Sequence, residues 1–96
     1  MNVSQLINDN GNPAANQFVI QADGHNIFKS YNTFIAWAEY GEGKVTLDTK
    51  ALDYSRTTSK HLFIFLRDYT GHKSIQNRKD VERLIKMGVI KTEDLN

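Results

Sequence analysis

The sequence predicts an α+β fold, in which a four-stranded antiparallel β-meander over residues 17–48 is followed by two helices over residues 57–88 that pack on one face. Three observations support it. An Asp-Gly pair separates two runs of strand-forming residues, a second alternating segment follows a glycine-containing turn, and the apolar period becomes helical after residue 55. We expect a single domain, with residues 1–16 as an N-terminal arm or loop and residues 89–96 as a tail.

The first hairpin has the clearest signal. Gln17–Ala22 and His25–Tyr31 are rich in strand formers and flank Asp23-Gly24, and a type I′ turn needs positive φ at both of its central residues. In the first strand, one face carries Phe18, Ile20 and Ala22. Before it, a short apolar cluster and a run of turn-forming residues predict a short helical turn or arm followed by a loop.

The second hairpin is less certain from the pattern alone. Thr33–Tyr40 alternates as a strand would, although its alanines also suit a helix. Gly41-Glu42-Gly43 and the clean alternation of Lys44–Asp48 favour a hairpin. We therefore predict strands on both sides of this turn.

Helical periodicity begins after Tyr54-Ser55-Arg56-Thr57-Thr58-Ser59-Lys60. An i, i+3, i+4, i+7 pattern ends near Gly71 and is formed by Leu62, Phe65, Leu66 and Tyr69. Ser55, Thr57 and Thr58 are all competent N-caps, and we favour Thr57 or Thr58. The alternative for residues 61–69 is a buried strand.

The second helix has signals at both ends. Asn77 is the expected N-cap, Asp80 lies near the positive first turn, and Gly88 suits the residue after the helix. The apolar stripe between them is formed by Val81, Leu84 and Ile85. Val89-Ile90 can add a short strand or pack across the sheet.

Composition limits the classes of function. Among 96 residues, 40% are apolar and 24% charged, which is ordinary for a globular domain. The absence of cysteine excludes disulfides and thiolate chemistry. Because no apolar run approaches the roughly 18 residues of a membrane span and no signal peptide is evident, we expect a cytoplasmic protein without a membrane partner.

Catalytic and metal-binding patterns are not recognisable. The spacing of His25, His61 and His72 includes no paired motif for a metal. Ser59 and His61 are close in sequence, but a nucleophile also needs an orienting acid and an oxyanion site, and no motif supplies them. We predict no enzyme activity, no metal and no cofactor.

Binding residues are expected among exposed aromatic and basic side chains. Two helices can cover only one face of a sheet, so aromatic surface should remain for a partner or a homodimer, unless the N-terminal arm covers it. The predicted partner-binding residues are Tyr31, Trp37, Tyr40, Arg56 and Lys60. Arg56 and Lys60 could also hold an anion at the helix start, although capping and solvation explain this segment more simply.

Charge is unevenly distributed along the chain. Residues 1–55 carry three cations against six acidic side chains, and residues 56–91 carry nine cations against three. On the second helix, one stripe opposite the apolar side is formed by Lys79, Arg83 and Lys86. This stripe makes nucleic-acid binding an alternative, although a net charge of +1 is low for that role.

Several short motifs together resemble those of a family of small bacteriophage proteins of uncharacterised function. They are Asn16–Ile20, Phe28–Tyr31, Lys44–Asp48, Asp53–Lys60 and Phe65-Leu66, with the tail Met87–Asn96. The resemblance implies phage origin and supplies no catalytic residues. It also implies a protein that binds and inhibits a host macromolecule, most specifically a bacterial immunity component in the manner of an anti-CRISPR protein. The expected partner is a host protein or ribonucleoprotein, and a virion or assembly component is a further alternative.

Overall fold

The computed structural model describes residues 1–40 and 43–96, and it has the expected α+β class. The predicted count of four strands is wrong, because the described residues form a sheet of six strands in the order β1-β2-β3-β4-β5-β6. Neighbouring strands are antiparallel from β1 to β5, whereas β6 is parallel to β5. In chain order the elements are β1 Asn2–Ile7, β2 Pro13–Ala22, β3 His25–Ser30, β4 Thr33–Glu39, β5 Val45–Asp48, α1 Arg56–Tyr69, α2 Arg78–Lys86 and β6 Ile90–Glu93.

The two strands outside the predicted four-stranded meander lie at the two edges of the sheet. β1 pairs with β2 over the segment that was expected to be an arm, so this segment extends the sheet and does not cover its face. β6 occupies part of the expected tail and confirms the suggestion of a strand at Val89-Ile90. Both strands depend on hydrogen bonds to a neighbour, which a local pattern reports only weakly.

The hairpins agree with their turn chemistry. Asp23 has a φ of 50° and Gly24 a φ of 78°, so both central residues have the positive φ of a type I′ turn. Residues 33–40 were ambiguous, and β4 confirms the strand prediction. β4 pairs with β5 through Ala36↔Leu47 and Ala38↔Val45. The predicted turn itself falls partly on Gly41 and Glu42, which lie outside the described residues.

The helices begin and end at recognisable caps. Ser55 is the N-cap of α1 and accepts a hydrogen bond from the Thr58 N–H, which corrects the preference for Thr57 or Thr58. The Asn77 side chain caps α2 by accepting from the Asp80 N–H, as predicted. Gly88, with a φ of 78°, follows α2 in the left-handed conformation that glycine adopts most easily.

The core lies between the helices and one face of the sheet. Phe28 of β3 stacks on Phe65 of α1 at 5.5 Å, and Phe65 stacks on Tyr69 at 5.7 Å. Two polar contacts connect β3 to α1: the hydroxyls of Ser30 and Thr58 are 3.1 Å apart, and the Asn26 amide donates to the Tyr69 carbonyl at 3.2 Å. These contacts fix which face of β3 points toward the helices.

Candidate partner-binding surface

The side of the sheet opposite α1 and α2, here termed the open face, is not covered by a helix. Alternation along the strands identifies it. Phe28, Ala36 and Leu47 point into the core, so the residues next to them in the neighbouring cross-strand pairs, Ile27, Trp37 and Thr46, point the other way. The register aligns one residue from each strand in a row across the open face: Val3, Ile20, Ile27, Trp37, Thr46 and Lys91.

β2 carries two large apolar residues on the open face. Phe18 and Ile20 lie there and are only half-buried. The opposite side of β2, which faces the core, carries Val19 and Gln17. Gln17 is fully buried, and neither its amide nitrogen nor its amide oxygen has a hydrogen-bond partner among the described residues. The strand thus exposes aromatic and aliphatic surface while placing an unsatisfied amide in the core.

Trp37 stands between two depressions of different character. On one side lies an apolar pocket of about 250 Å³, lined by Trp37, Ile27, Phe34, Ala36 and Leu95. On the other lies a cleft of about 460 Å³ whose lining includes His25, Glu39, Lys44, Lys91 and Glu93. Trp37 is 45% exposed, and its ring contacts the His25 ring at 5.4 Å. An exposed indole is therefore bordered by apolar surface on one side and by charges of both signs on the other.

Phe34 is the second exposed aromatic of the open face. Its ring is 37% exposed and lies 5.3 Å from the Lys29 ammonium, a cation–π distance. The Asn96 side chain holds the Phe34 backbone, accepting from its N–H at 2.9 Å and donating to its carbonyl at 3.0 Å. The last residues thus complete hydrogen bonding along β4 where β5 does not reach.

Asp48 anchors this tail. Its carboxylate is 3% exposed and accepts from the Leu95 N–H at 2.9 Å and the Asn96 amide at 3.2 Å on one oxygen. The other oxygen accepts from the Tyr54 hydroxyl at 2.8 Å and the Lys50 N–H at 3.1 Å. Burial would raise the pKa of Asp48, but these hydrogen bonds outweigh it and hold that pKa below its ordinary 3.8. Burial and the bond to the Asp48 carboxylate raise the pKa of Tyr54 above 10.0.

The structure separates the predicted partner-binding residues into different regions. Trp37 lies on the open face, whereas Arg56 and Lys60 lie at the start of α1 in the helix layer. Tyr31 and Tyr40 lie beyond opposite ends of β4, a seven-residue strand that spans roughly 20 Å. All five side chains are exposed, but they do not form one contiguous surface.

At the start of α1, two of the serine and threonine hydroxyls form hydrogen bonds within the fold. Ser55 caps the helix, and the buried Thr58 hydroxyl contacts both Ser55 and Ser30. Arg56 and Lys60 line a cleft of about 610 Å³ together with Arg78, whose guanidinium is 3.1 Å from the Asp53 carboxylate. Capping and packing therefore account for Ser55 and Thr58, whereas Ser59 lines the cleft together with the two cations.

On α2, the three cations of the alternative nucleic-acid site are exposed: Lys79, Arg83 and Lys86. The Arg83 guanidinium lies 3.6 Å from Asp80, and Arg78 lies 3.6 Å from Glu82. Acidic side chains therefore interrupt the basic surface of this helix and reduce its potential for phosphate.

Sequence reasoning missed Phe34, Lys29, Leu95 and Asn96 as part of the surface. Phe34 had no usable signal, because period-two alternation puts residues 34 and 37 on opposite faces. The irregularity in the β3–β4 pairing, between Phe28 and Lys29, brings Phe34 onto the face of Trp37, opposite Lys29. Leu95 and Asn96 had none, because their positions follow from contacts with Asp48, some 47 residues earlier.

A family model, "Family of unknown function (DUF8033)", matches residues 1–83. The chain belongs to this family. The match includes β1–β5, α1 and part of α2, so it contains the aromatic residues of the open face. No curated protein and no solved structure matches the chain.

Two structural findings concern metal binding and membrane insertion. Within residues 1–40 and 43–96, no group of three or more His, Asp or Glu side chains is arranged to hold a metal ion. Over the same residues, neither helix is long and apolar enough to cross a bilayer.

Proposed function

We propose that this DUF8033 protein is a non-enzymatic binding protein whose open face receives another protein. The observation that supports this most directly is the polarity of β2, which leaves Phe18 and Ile20 half-buried on the open face while it buries Gln17 in the core. The fold would be more stable with the apolar side chains in the core and the glutamine at the surface, because burying apolar area stabilises a fold and burying an unsatisfied amide destabilises it. Apolar residues are expected on a face that no helix covers when a binding partner buries them.

The surface has the composition of a protein interface. Trp37 and Phe34 provide exposed aromatic area at its centre, and charged residues surround it: Lys29, Glu39, Lys44, Lys91 and Glu93. Aromatic anchors inside a polar rim are typical of protein–protein contacts. The two glutamates beside Trp37 favour a protein over a nucleic acid, because they would repel phosphates in the same cleft.

The finer proposal follows from the resemblance to bacteriophage proteins. On this proposal the chain is phage-encoded, acts in the host cytoplasm, and inhibits a host protein or ribonucleoprotein of bacterial immunity, as an anti-CRISPR protein does. Its test is the plating efficiency of a targeted phage on a CRISPR-immune host that expresses the chain. Protection by wild type that is lost in Trp37→Ala supports the proposal, and the absence of any protection rejects immunity as the target.

Binding itself is tested by affinity capture from host lysate, identification of the captured protein by mass spectrometry, and titration of the purified pair. Trp37→Ala and Phe34→Ala should each weaken the complex about 30-fold or more, as central aromatic anchors do. Tyr31→Ala is the matched control, because Tyr31 is 57% exposed at a turn beyond the open face. Equal losses for Tyr31→Ala and Trp37→Ala would move the contact away from the open face, and full binding by both open-face variants would refute it.

A second candidate is a nucleic-acid-binding accessory protein that uses Lys79, Arg83 and Lys86 of α2. It is supported by the exposure of all three side chains on one helix. Fluorescence anisotropy with random DNA and RNA should then show affinity that falls steeply with salt and is lost in Lys79→Glu/Arg83→Glu. A virion or assembly role would instead place the chain in purified particles.

A further inference from the structure

β1 forms one edge of the sheet, and its outer side has no strand partner among the described residues. Of its six residues only Leu6 is buried, while Val3 is 57% exposed and Ile7 42% exposed. An edge strand presents unpaired N–H and C=O groups that can pair with another chain.

This edge lacks the features that usually block strand addition. β1 contains no charged residue and no proline, and its irregularity in pairing occurs only between Gln5 and Ile7. The opposite edge differs, because β6 carries Lys91 and Glu93 in a strand of four residues. Natural proteins protect edges with charges, proline, short strands or bulges. Only the β6 edge is protected in this way along its whole length.

The hydrogen-bonding phase of the sheet shows which groups of β1 point outward. The Tyr31 N–H donates to the Asn16 carbonyl at 2.7 Å, so even-numbered residues of β2 form hydrogen bonds with β3. Ile20 thus directs its backbone groups to β3, and Val3, opposite Ile20, has no backbone bond to it. The N–H and C=O of Val3, and by alternation those of Gln5, point away from the sheet.

We propose that two copies of this chain associate through antiparallel pairing of β1 with β1, with Val3 opposite Val3 of the second copy. In this register residues 1–5 of each copy pair, and the irregularity after Gln5 lies outside the paired segment. Val3 begins the row that continues through Ile20, Ile27 and Trp37, so the dimer joins two open faces into one twelve-stranded sheet.

A second copy fits this edge better than an unrelated strand for two reasons. An uncharged strand has no charge pattern for selecting a different partner, and it pairs with itself without repulsion. Two-fold pairing also closes the assembly, because both β1 edges are used and the remaining β6 edges are charged. This inference is independent of the proposed function, since it depends on the edge of the sheet and not on the open face.

Sedimentation velocity over a range of concentrations tests the dimer. Wild type should show a reversible monomer–dimer equilibrium. Val3→Lys and Val3→Asp should each weaken it at least about tenfold, because like charges face each other across the two-fold axis. An equimolar mixture of the two variants should restore a dimer, since the charges are then opposite.

Thr92→Lys on the β6 edge is the matched control and should leave the dimer unchanged, and circular dichroism should show that every variant is folded. A wild type that stays monomeric at all concentrations overturns the proposal. So does a dimer that survives in Val3→Lys, or one that is lost in Trp37→Ala, since the latter would place the contact on the open face.

Discussion

Replacing Asp48 by asparagine is the sharpest test of how the carboxyl-terminal tail is held. The carboxylate is almost fully buried and accepts four hydrogen bonds, two on each oxygen. An amide keeps one acceptor, and its NH₂ group must face two donors. Two charge-assisted bonds are lost, each worth about 1.5–3 kcal/mol. Since Tyr54 is partly exposed and water can replace one bond, we expect a total loss of about 2–4 kcal/mol.

The measurement is urea unfolding at pH 7, followed by circular dichroism and by the fluorescence of Trp37, the only tryptophan. A loss of this size lowers the melting temperature by roughly 10–30 °C for a domain of this length. Trp37 emission should also shift in the folded variant, because Leu95, which Asp48 holds, lines the pocket beside the indole. Asp23→Asn is the control: Asp23 is an exposed turn residue with positive φ, which asparagine tolerates.

The pH dependence has a definite sign. The pKa of Asp48 is lowered on folding, so its ionised form stabilises the fold at pH values above the ordinary pKa of 3.8 and loses this effect as the pH falls through the lower folded value. The difference in unfolding free energy between wild type and Asp48→Asn should therefore be constant from pH 5 to 7 and shrink below pH 3.8. A loss of unfolding free energy below about 0.5 kcal/mol at pH 7, which is usual for surface substitutions, would refute the reasoning. A loss that stays the same at every pH would refute it as well.

Two further predictions concern residues in unfavourable settings. Gln17→Met keeps the side-chain volume and removes the unsatisfied buried amide, so it should raise the unfolding free energy by about 1–3 kcal/mol in urea titrations; a loss of stability would show that the amide has a partner in solution. Tyr31, the first residue of the two-residue β3–β4 turn, has a φ of 53°, whereas Asn32 does not have a positive φ. Because glycine adopts a positive φ without strain, Tyr31→Gly should stabilise the fold by a net amount of about 0.5–1 kcal/mol and raise the melting temperature. Asn32→Gly is the comparison. If the melting temperature of Tyr31→Gly does not rise, contacts of the tyrosine ring compensate for the backbone strain at this position.

Local signals in the sequence predicted the elements that local interactions determine. Asp23-Gly24 specified a tight hairpin because both residues accept positive φ. Asn77 and Gly88 predicted the two ends of α2 because capping involves residues within one turn of the helix. The choice between Ser55 and its neighbouring threonines failed for a related reason: all three can cap, and the burial of Thr58 against Ser30 decides among them.

The edge strands and the tail could not be predicted in the same way. β1 has little alternation of its own and becomes a strand by pairing with β2. β6 lies parallel to β5 after a connection through both helices, so its partner is distant in sequence. The carboxyl-terminal residues are positioned by Asp48, whose role as a buried acceptor depends on four donors from separate segments. Each of these features follows from non-local pairing.

The open face shows the limit of period-two patterns most clearly. Alternation in β2 correctly placed Phe18, Ile20 and Ala22 on one face, but it cannot tell whether that face meets the helices. The decision comes from β3, where Ser30 and Asn26 contact α1 and the Asp-Gly turn fixes the register of β2 against them. β2 must then bury Gln17 beside Val19 and leave Phe18 and Ile20 half-buried on the open face. If the open-face residues bind a partner, Gln17→Met should stabilise the protein without changing partner binding, whereas Trp37→Ala should weaken binding with little effect on stability. If Trp37→Ala instead lowers stability and leaves binding unchanged, the open face has a structural role.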